Sequence, residues 1–215
     1  MKVFVSWSGG KDCMLALHRI KKEGMHDIHC LVNMCDKTTP RSRSHGISNR
    51  LIREQAFAMG IPVIQPVSGF DDYEEVFKSA INQLKTQGVK GGVFGDIYLQ
   101  VHRDWIERVC AETEIEPIFP LWKNNTTELL KEFVTGGFNA KLVAVNQQHL
   151  TKDWLGRNID HEFVKDILGF PNLDPCAENG EYHSFVFDGP TFVTPVVIQE
   201  GTSYEAHNHW FLELE

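Results

Sequence analysis

Apolar positions along the first two-thirds of the chain follow two alternating rhythms. Residues 2–5 form a short strand-like run. Residues 12–22 then carry Met14, Leu15, Leu17, His18 and Ile20 at helical spacing. The alternation continues with a strand over 28–34 and a polar stretch over 36–48 that has no apolar period. A helix over 49–59 is closed by Gly60, a strand follows at 62–64, and a helix over 71–87 stops at Gly88. Strand 92–95, helix 99–113, strand 117–119, helix 126–134 and strand 141–145 complete the series.

Repeated strand–helix order implies right-handed crossovers and a parallel sheet covered on both faces. The strands are short and continuously apolar, as double burial requires. The predicted class is therefore α/β, a doubly wound, mainly parallel sheet. Its ligand crevice should lie beyond the carboxyl ends of the strands. After residue 150 the pattern changes. A helix over 160–168 is followed by a Pro-rich break at 171–175, then strand-like runs over 182–187, 191–198 and 210–214, with turns at 188–190 and 200–201. The expected division is a first domain over 1–150 and a small C-terminal α+β region over 151–215.

Composition narrows the function class. With 21 Lys+Arg against 29 Asp+Glu in 215 residues, the net charge is −8. That balance argues against a general nucleic-acid binder, which needs clustered cations, but leaves room for a local anion pocket. No apolar run approaches the ~18 residues of a membrane span. The first residues do not fit a signal peptide. The five cysteines, Cys13, Cys30, Cys35, Cys110 and Cys176, contain no C-x-x-C pair, so free thiols in a reducing cytoplasm are expected.

Chemistry concentrates first between strand 2–5 and helix 12–22, in Ser6-Trp7-Ser8-Gly9-Gly10-Lys11-Asp12-Cys13. Two glycines permit a turn that aims several backbone N–H groups inward, a helix N-terminus adds its positive dipole end, and Lys11 adds a full charge. This is an anion cradle suited to phosphates. It is not the Walker form, because Lys11 is followed by Asp12, and it is not the three-glycine dinucleotide fingerprint.

Ser8–Asp12 at the end of the first strand resembles the pyrophosphate loop of the N-type ATP pyrophosphatases, whose fold is that of the adenine nucleotide alpha hydrolases. Within them the chain is similar to the diphthine–ammonia ligase family and its bacterial relatives. The resemblance runs through SWSGGKDC at 6–13, RSRSHG at 41–46, REQAFAMGIPV at 53–63, GDI at 95–97, PLW at 120–122, LGR at 155–157 and DPCAENGEYHSFVFDGPTF at 174–192. Three positions depart from the usual family pattern. Cys13 stands where Ser is usual, Ala177 where Gly is usual, and His183 where many relatives carry Glu. A thiol at a helix N-terminus is a weaker phosphate donor than a hydroxyl and is expected to be more acidic than average.

The resemblance implies a set of roles. Ser6, Ser8, Gly9, Gly10, Lys11, Asp12 and Cys13 would hold the phosphates of ATP, with Asn33 and Met34 at the end of the second strand beside the adenosine. His45, after the basic patch 41–44, would sit in a loop that orders over the nucleotide. Gly95 and Asp96 close the fourth strand, with Asp96 either a Mg²⁺ ligand or a helix N-cap. In Glu178-Asn179-Gly180-Glu181-Tyr182-His183, the carboxylates Glu178 and Glu181 would act on the nucleophile, and Asn179, Gly180, Tyr182 and His183 would face the acceptor. Taken alone, that segment is also an ordinary hairpin turn. His207 and His209 alternate on a terminal strand and do not by themselves make a metal site.

The expected activity is that of an ATP-dependent ligase. It would adenylate a carboxylate with release of pyrophosphate, then transfer ammonia, using ATP and Mg²⁺. The acceptor would be a small-molecule or protein-bound carboxylate, and the superfamily implies a homodimer. Rival expectations are sulfur transfer to tRNA, another adenylation such as one in cobalamin salvage, and a non-catalytic adenine-nucleotide-binding regulator.

Overall fold

The structure, a computed structural model, describes residues 1–215. The first half runs β1 (Lys2–Ser6), α1 (Lys11–Glu23), β2 (Asp27–Val32), β3 (Cys35–Asp36), α2 (Asn49–Ala58), β4 (Val63–Ile64), β5 (Val67–Ser68), α3 (Tyr73–Thr86), β6 (Gly91–Val93), α4 (Gln100–Glu112) and β7 (Glu116–Ile118). It continues with α5 (Thr126–Thr135), β8 (Asn139–Asn146), α6 (His161–Ile167), β9 (Tyr182–Asp188), β10 (Glu200–Ala206) and β11 (His209–Leu214).

The main sheet has the order β4-β2-β1-β6-β7, and every pairing in it is parallel. Both faces are covered, and the pleat of β1 shows how. Val3 and Val5 point into one core with Met14 and Leu17 of α1 and Ile52 and Ala56 of α2. Phe4, between them, points into a second core with Phe77 and Ile81 of α3 and Ile106 and Val109 of α4. The chain winds from β1 to β2 on one side and later places β6 on the other. The switch point therefore lies between β1 and β6, where the strand ends part and leave a crevice.

A second sheet of order β10-β11-β8-β9 is antiparallel. The strand expected at 141–145 belongs here and not to the parallel series. Leu142, Val143, Ala144 and Val145 are all buried, and a run buried on both faces carries no mark of strand direction. The strand expected at 191–198 is absent. The strand forms instead at 200–206, so the turn expected at 200–201 lies within it. The hairpin turn is His207-Asn208, with φ of 50° and 61°, so His207 does not share a strand face with His209. β9 packs against α1, and Phe185 and Val186 lie in the same core as Val3 and Val5. Through that contact the antiparallel sheet reaches the strand ends of the parallel one.

Candidate active site

The loop leaving β1 is shaped by close packing. Gly9 has φ +85°, and a Cβ there would come within 2.6 Å of Ile52 Cδ1. Gly10 is the N-cap of α1 and offers no side-chain cap, so the N–H groups of Asp12 and Cys13 stay available to an anion. Gln55, on the apolar face of α2, is fully buried beneath the loop. Its amide nitrogen donates to Gly9 O at 3.0 Å and to Val186 O, and its oxygen accepts from Trp7 Nε1 at 2.8 Å. β9 supports the loop from the other side. Val186 N donates to Gly9 O at 3.0 Å, and Lys11 N donates to Ser184 Oγ at 3.2 Å.

Lys11 is 4% exposed. Its ammonium pairs with Asp12 Oδ2 at 2.9 Å, donates to the Cys176 carbonyl and lies 4.9 Å from the Tyr182 ring centroid. Burial opposes its charge, but Asp12 and the polar groups around it outweigh that and hold Lys11 above the usual lysine range. The cation is thus fixed at the start of α1.

Gly95 meets the same loop edge-on, since a Cβ there would lie 2.9 Å from Cys13 N and 3.0 Å from Asp12 C. Asp96 follows it into the crevice, 3.5 Å from His102 Nδ1. That partner raises the His102 pKa. Asp96 is not a helix N-cap, because α4 begins at Gln100 with Leu99 as its cap.

Opposite stands the 178–183 segment. Glu178 Oε2 accepts the N–H groups of Ile97 at 3.2 Å and Tyr98 at 3.4 Å. Burial, then the charges of Asp12 and Asp96, push the Glu178 carboxyl up to about 7. Glu181 is 1% exposed and does not reach the crevice. It accepts from Asp174 N at 3.0 Å and from the Asn179 backbone and side chain at 3.1 Å, so it clamps the turn that carries Glu178.

Two adjoining cavities result. One of about 260 Å³ is bordered by Ser6, Ser8, Asp12, Cys13, Met34, His45, Gly95, Asp96, Tyr73 and Glu178. The other, about 420 Å³, is bordered by Lys11, Asp12, His45, His102, Cys176, Glu178, Asn179, Gly180, Tyr182 and His183. Asp12, His45, His102 and Glu178 stand on both. Asn33 is not brought to either cavity. It is 1% exposed, and its amide is spent on Trp7 O at 2.8 Å and Ser42 Oγ at 2.9 Å. Cys13 is not an acidic thiol. It is buried, its Sγ donates to Gly10 O at 3.2 Å, and burial raises its pKa. His45 and His183 stack at 4.5 Å between ring centroids, and burial lowers the pKa of both, that of His45 to about 4.

Gln55, Ser184, Tyr98 and His102 were not singled out by sequence reasoning. Gln55 alone carried a signal, a polar residue in the apolar stripe Leu51-Ile52-Gln55-Ala56 of α2.

Both halves of the chain match one family: residues 1–117 match the diphthamide synthase N-terminal domain, and residues 125–215 the diphthamide synthase C-terminal domain. The chain belongs to the diphthamide synthase family. Among curated relatives, a diphthine–ammonia ligase of Danio rerio is 26% identical over 92% of this chain and 86% of its own length. One of Rattus norvegicus is 24% identical over 92% and 83%. A crystal structure of a predicted tRNA methyltransferase subunit from Methanocaldococcus jannaschii aligns over 100% of this chain and 98% of its own, at 18% identity and TM-score 0.45. Family membership makes this chain an ATP-dependent ligase that forms a carbon–nitrogen bond. No helix of the chain is long and apolar enough to cross a membrane.

Proposed function

We propose that the paired cavities form one adenylation and amidation site, with ATP on the parallel sheet and the acceptor against the antiparallel one. The observation that carries this reading is that Asp12 and Glu178 border both cavities, so the phosphate loop and the 178–183 segment act in one space. ATP would lie with its phosphates on the Ser8–Cys13 loop and its adenosine toward Met34. An acceptor carboxylate oxygen attacks the α-phosphorus, the α–β bridging bond breaks, and pyrophosphate leaves with its negative charge toward Lys11 and the α1 N-terminus. Ammonia then attacks the acyl carbon, AMP leaves, and Glu178 takes the surplus proton. A carboxyl with a pKa near 7 suits that task at neutral pH.

The carboxylates present fit Mg²⁺ held chiefly by phosphates. No group of three ligating side chains forms a closed metal cage, but Asp12 and Asp96 both border the 260 Å³ cavity, and one or two carboxylates suffice for this ion. When bound, Mg²⁺ neutralises phosphate charge. Asn179, Gly180, Tyr182 and His183 face the acceptor in this reading, and Glu181 is a positioning residue that holds their turn.

The test is product analysis of ATP with Mg²⁺, ammonium and a panel of carboxylates that includes diphthine-bearing protein and cobinamide precursors. AMP and pyrophosphate formed only with an acceptor are expected. ADP and phosphate would refute the reading.

A further inference from the structure

Four residues border both cavities of the site: Asp12, His45, His102 and Glu178. His45 comes to them on the loop between β3 and α2, and the phosphate loop is built to receive it. Gly10 has φ −90°, which any residue adopts, so its lack of a side chain serves space and not conformation. A Cβ there would collide with His45 Cε1 and lie 3.0 Å from Nδ1. The imidazole thus rests directly on the N-cap of α1.

Its orientation is fixed. Nδ1 lies 3.1 Å from the Ser184 carbonyl oxygen, which can only accept, so Nδ1 carries the proton and Nε2 of the neutral ring carries a lone pair. Burial keeps the ring neutral, with its pKa lowered to about 4. Nε2 has no partner in the protein and is not sealed from solvent, so it opens onto the cavities. A column of rings holds the imidazole plane. His183 of β9 stacks on His45 at 4.5 Å, His209 of β11 stacks on His183 at 6.1 Å, and Phe211 and Tyr204 continue the column at 5.9 and 5.3 Å. His102 has no such support, because its side chain is 59% exposed and water competes for its ring nitrogens.

A fixed acceptor in this place selects its ligand by chemistry. Phosphate oxygens are acceptors and find no donor at Nε2. Ammonium has only donors, and Asp12, Asp96 and Glu178 surround the joined cavities against Lys11 alone. Direction matters as well. An acceptor engages an N–H of ammonia and leaves the nitrogen lone pair free to attack, whereas a donor would occupy that lone pair.

We infer that His45 Nε2 is the binding site of the nitrogen nucleophile, holding ammonium or ammonia between the phosphate loop and Glu178 through one N–H···N hydrogen bond. The inference rests on the adenylation and amidation reading of the two cavities. It adds no covalent step: the surplus proton of the nitrogen goes to Glu178, and His45 keeps its own proton on Nδ1 throughout. His183 positions the His45 ring.

The experiment is NMR of ¹⁵N-labelled protein titrated with ammonium chloride, before and after addition of a non-hydrolysable ATP analogue. Tetramethylammonium chloride is the control for charge and ionic strength. The histidine ring nitrogens report the tautomer. The backbone N–H groups of Gly10 and Ile97, beside His45 and Glu178, report occupancy in the variants. The native chain should show His45 protonated at Nδ1 and not at Nε2, with the Nε2 resonance moving saturably with ammonium only. His45→Phe keeps the ring stack and deletes the acceptor, so half-saturation should need about tenfold more ammonium. His45→Gln, whose side-chain carbonyl accepts, should recover part of that loss. An Nε2 that becomes protonated when the nucleotide analogue binds would make His45 a phosphate donor and overturn the inference, with the adenylation reading left standing. An unaltered ammonium response in His45→Phe would overturn it too. A saturable ammonium response in a native chain that binds no nucleotide would support the nitrogen site and overturn the adenylation reading. The native-chain tautomer needs no variant, so it decides the matter even if His45→Phe does not fold.

Discussion

Glu178 Oε2 accepts the backbone N–H of Ile97 at 3.2 Å, which fastens the 178–183 turn to the strand-end loop that carries Asp96. The same carboxyl is pushed up to about 7 by burial and by Asp12 and Asp96. A base must be deprotonated to act, so amidation should rise with pH through about 7 and level off above it. Glu178→Gln should lower kcat about 10²–10⁴-fold and abolish that limb, as a pH–rate profile with saturating ammonium would reveal. A raised folded-state pKa means that the protonated form is favoured on folding, so this group's contribution to stability falls as pH rises from about 4.5 to about 7. Glu178→Gln should therefore gain stability relative to the native chain across that window, measured by urea unfolding at pH 5 and pH 8.

Lys11 sits in a closed cage of Asp12, the Cys176 carbonyl and the Tyr182 ring. Lys11→Ala removes the charge proposed to meet pyrophosphate and leaves Asp12 without its partner. Pyrophosphate release should fall about 10²–10³-fold, and unfolding should cost about 3 kcal/mol less. Undiminished release in the variant would show that the charge is not used.

Gly95 lies where any side chain would strike backbone. Gly95→Ala must move either β6 or the first turn of α1, since Cys13 N is only 2.9 Å from the added carbon. A loss of about 1–3 kcal/mol and a clearly weaker ATP affinity are expected by thermal melts and calorimetry. Unchanged ATP affinity would mean that the loop tolerates the shift.

Gln55 joins Trp7, Gly9 and Val186 through one buried amide. Gln55→Leu keeps much of the volume but strands these partners, so stability should drop by about 2–3 kcal/mol. ATP binding should weaken with it, although Gln55 borders neither cavity. Denaturant unfolding and nucleotide titration on the same sample test both parts.

Cys13 is buried with its thiol bonded to Gly10 O, and Ser8 Oγ lies 3.4 Å from its sulfur. Iodoacetamide should label the native chain at Cys13 far more slowly than the unfolded chain at pH 8, because the thiolate is disfavoured. Cys13→Ser should bind ATP with unchanged affinity, since the backbone N–H at that position is the same. Fast labelling followed by mass spectrometry would contradict this.

The sequence by itself determined the local elements and their chemistry. The alternation of residues 2–119 determined a parallel doubly wound sheet, because a strand buried on two faces and an amphipathic helix leave different periods. The SGGKD loop likewise announced an anion cradle through its glycines, its lysine and its position at a strand end. Only the tertiary structure decided which sheet took residues 139–146, since a wholly buried apolar run looks the same in parallel and antiparallel pairing. It also decided that Asn33 and Glu181 serve the framework, that Gln55 and Ser184 support the loop, and that Cys13 is an inert thiol. These outcomes depend on contacts across 46 residues between Gln55 and Gly9, or 173 between Lys11 and Ser184, and burial and hydrogen-bond partners at such separations leave no periodic trace in the chain.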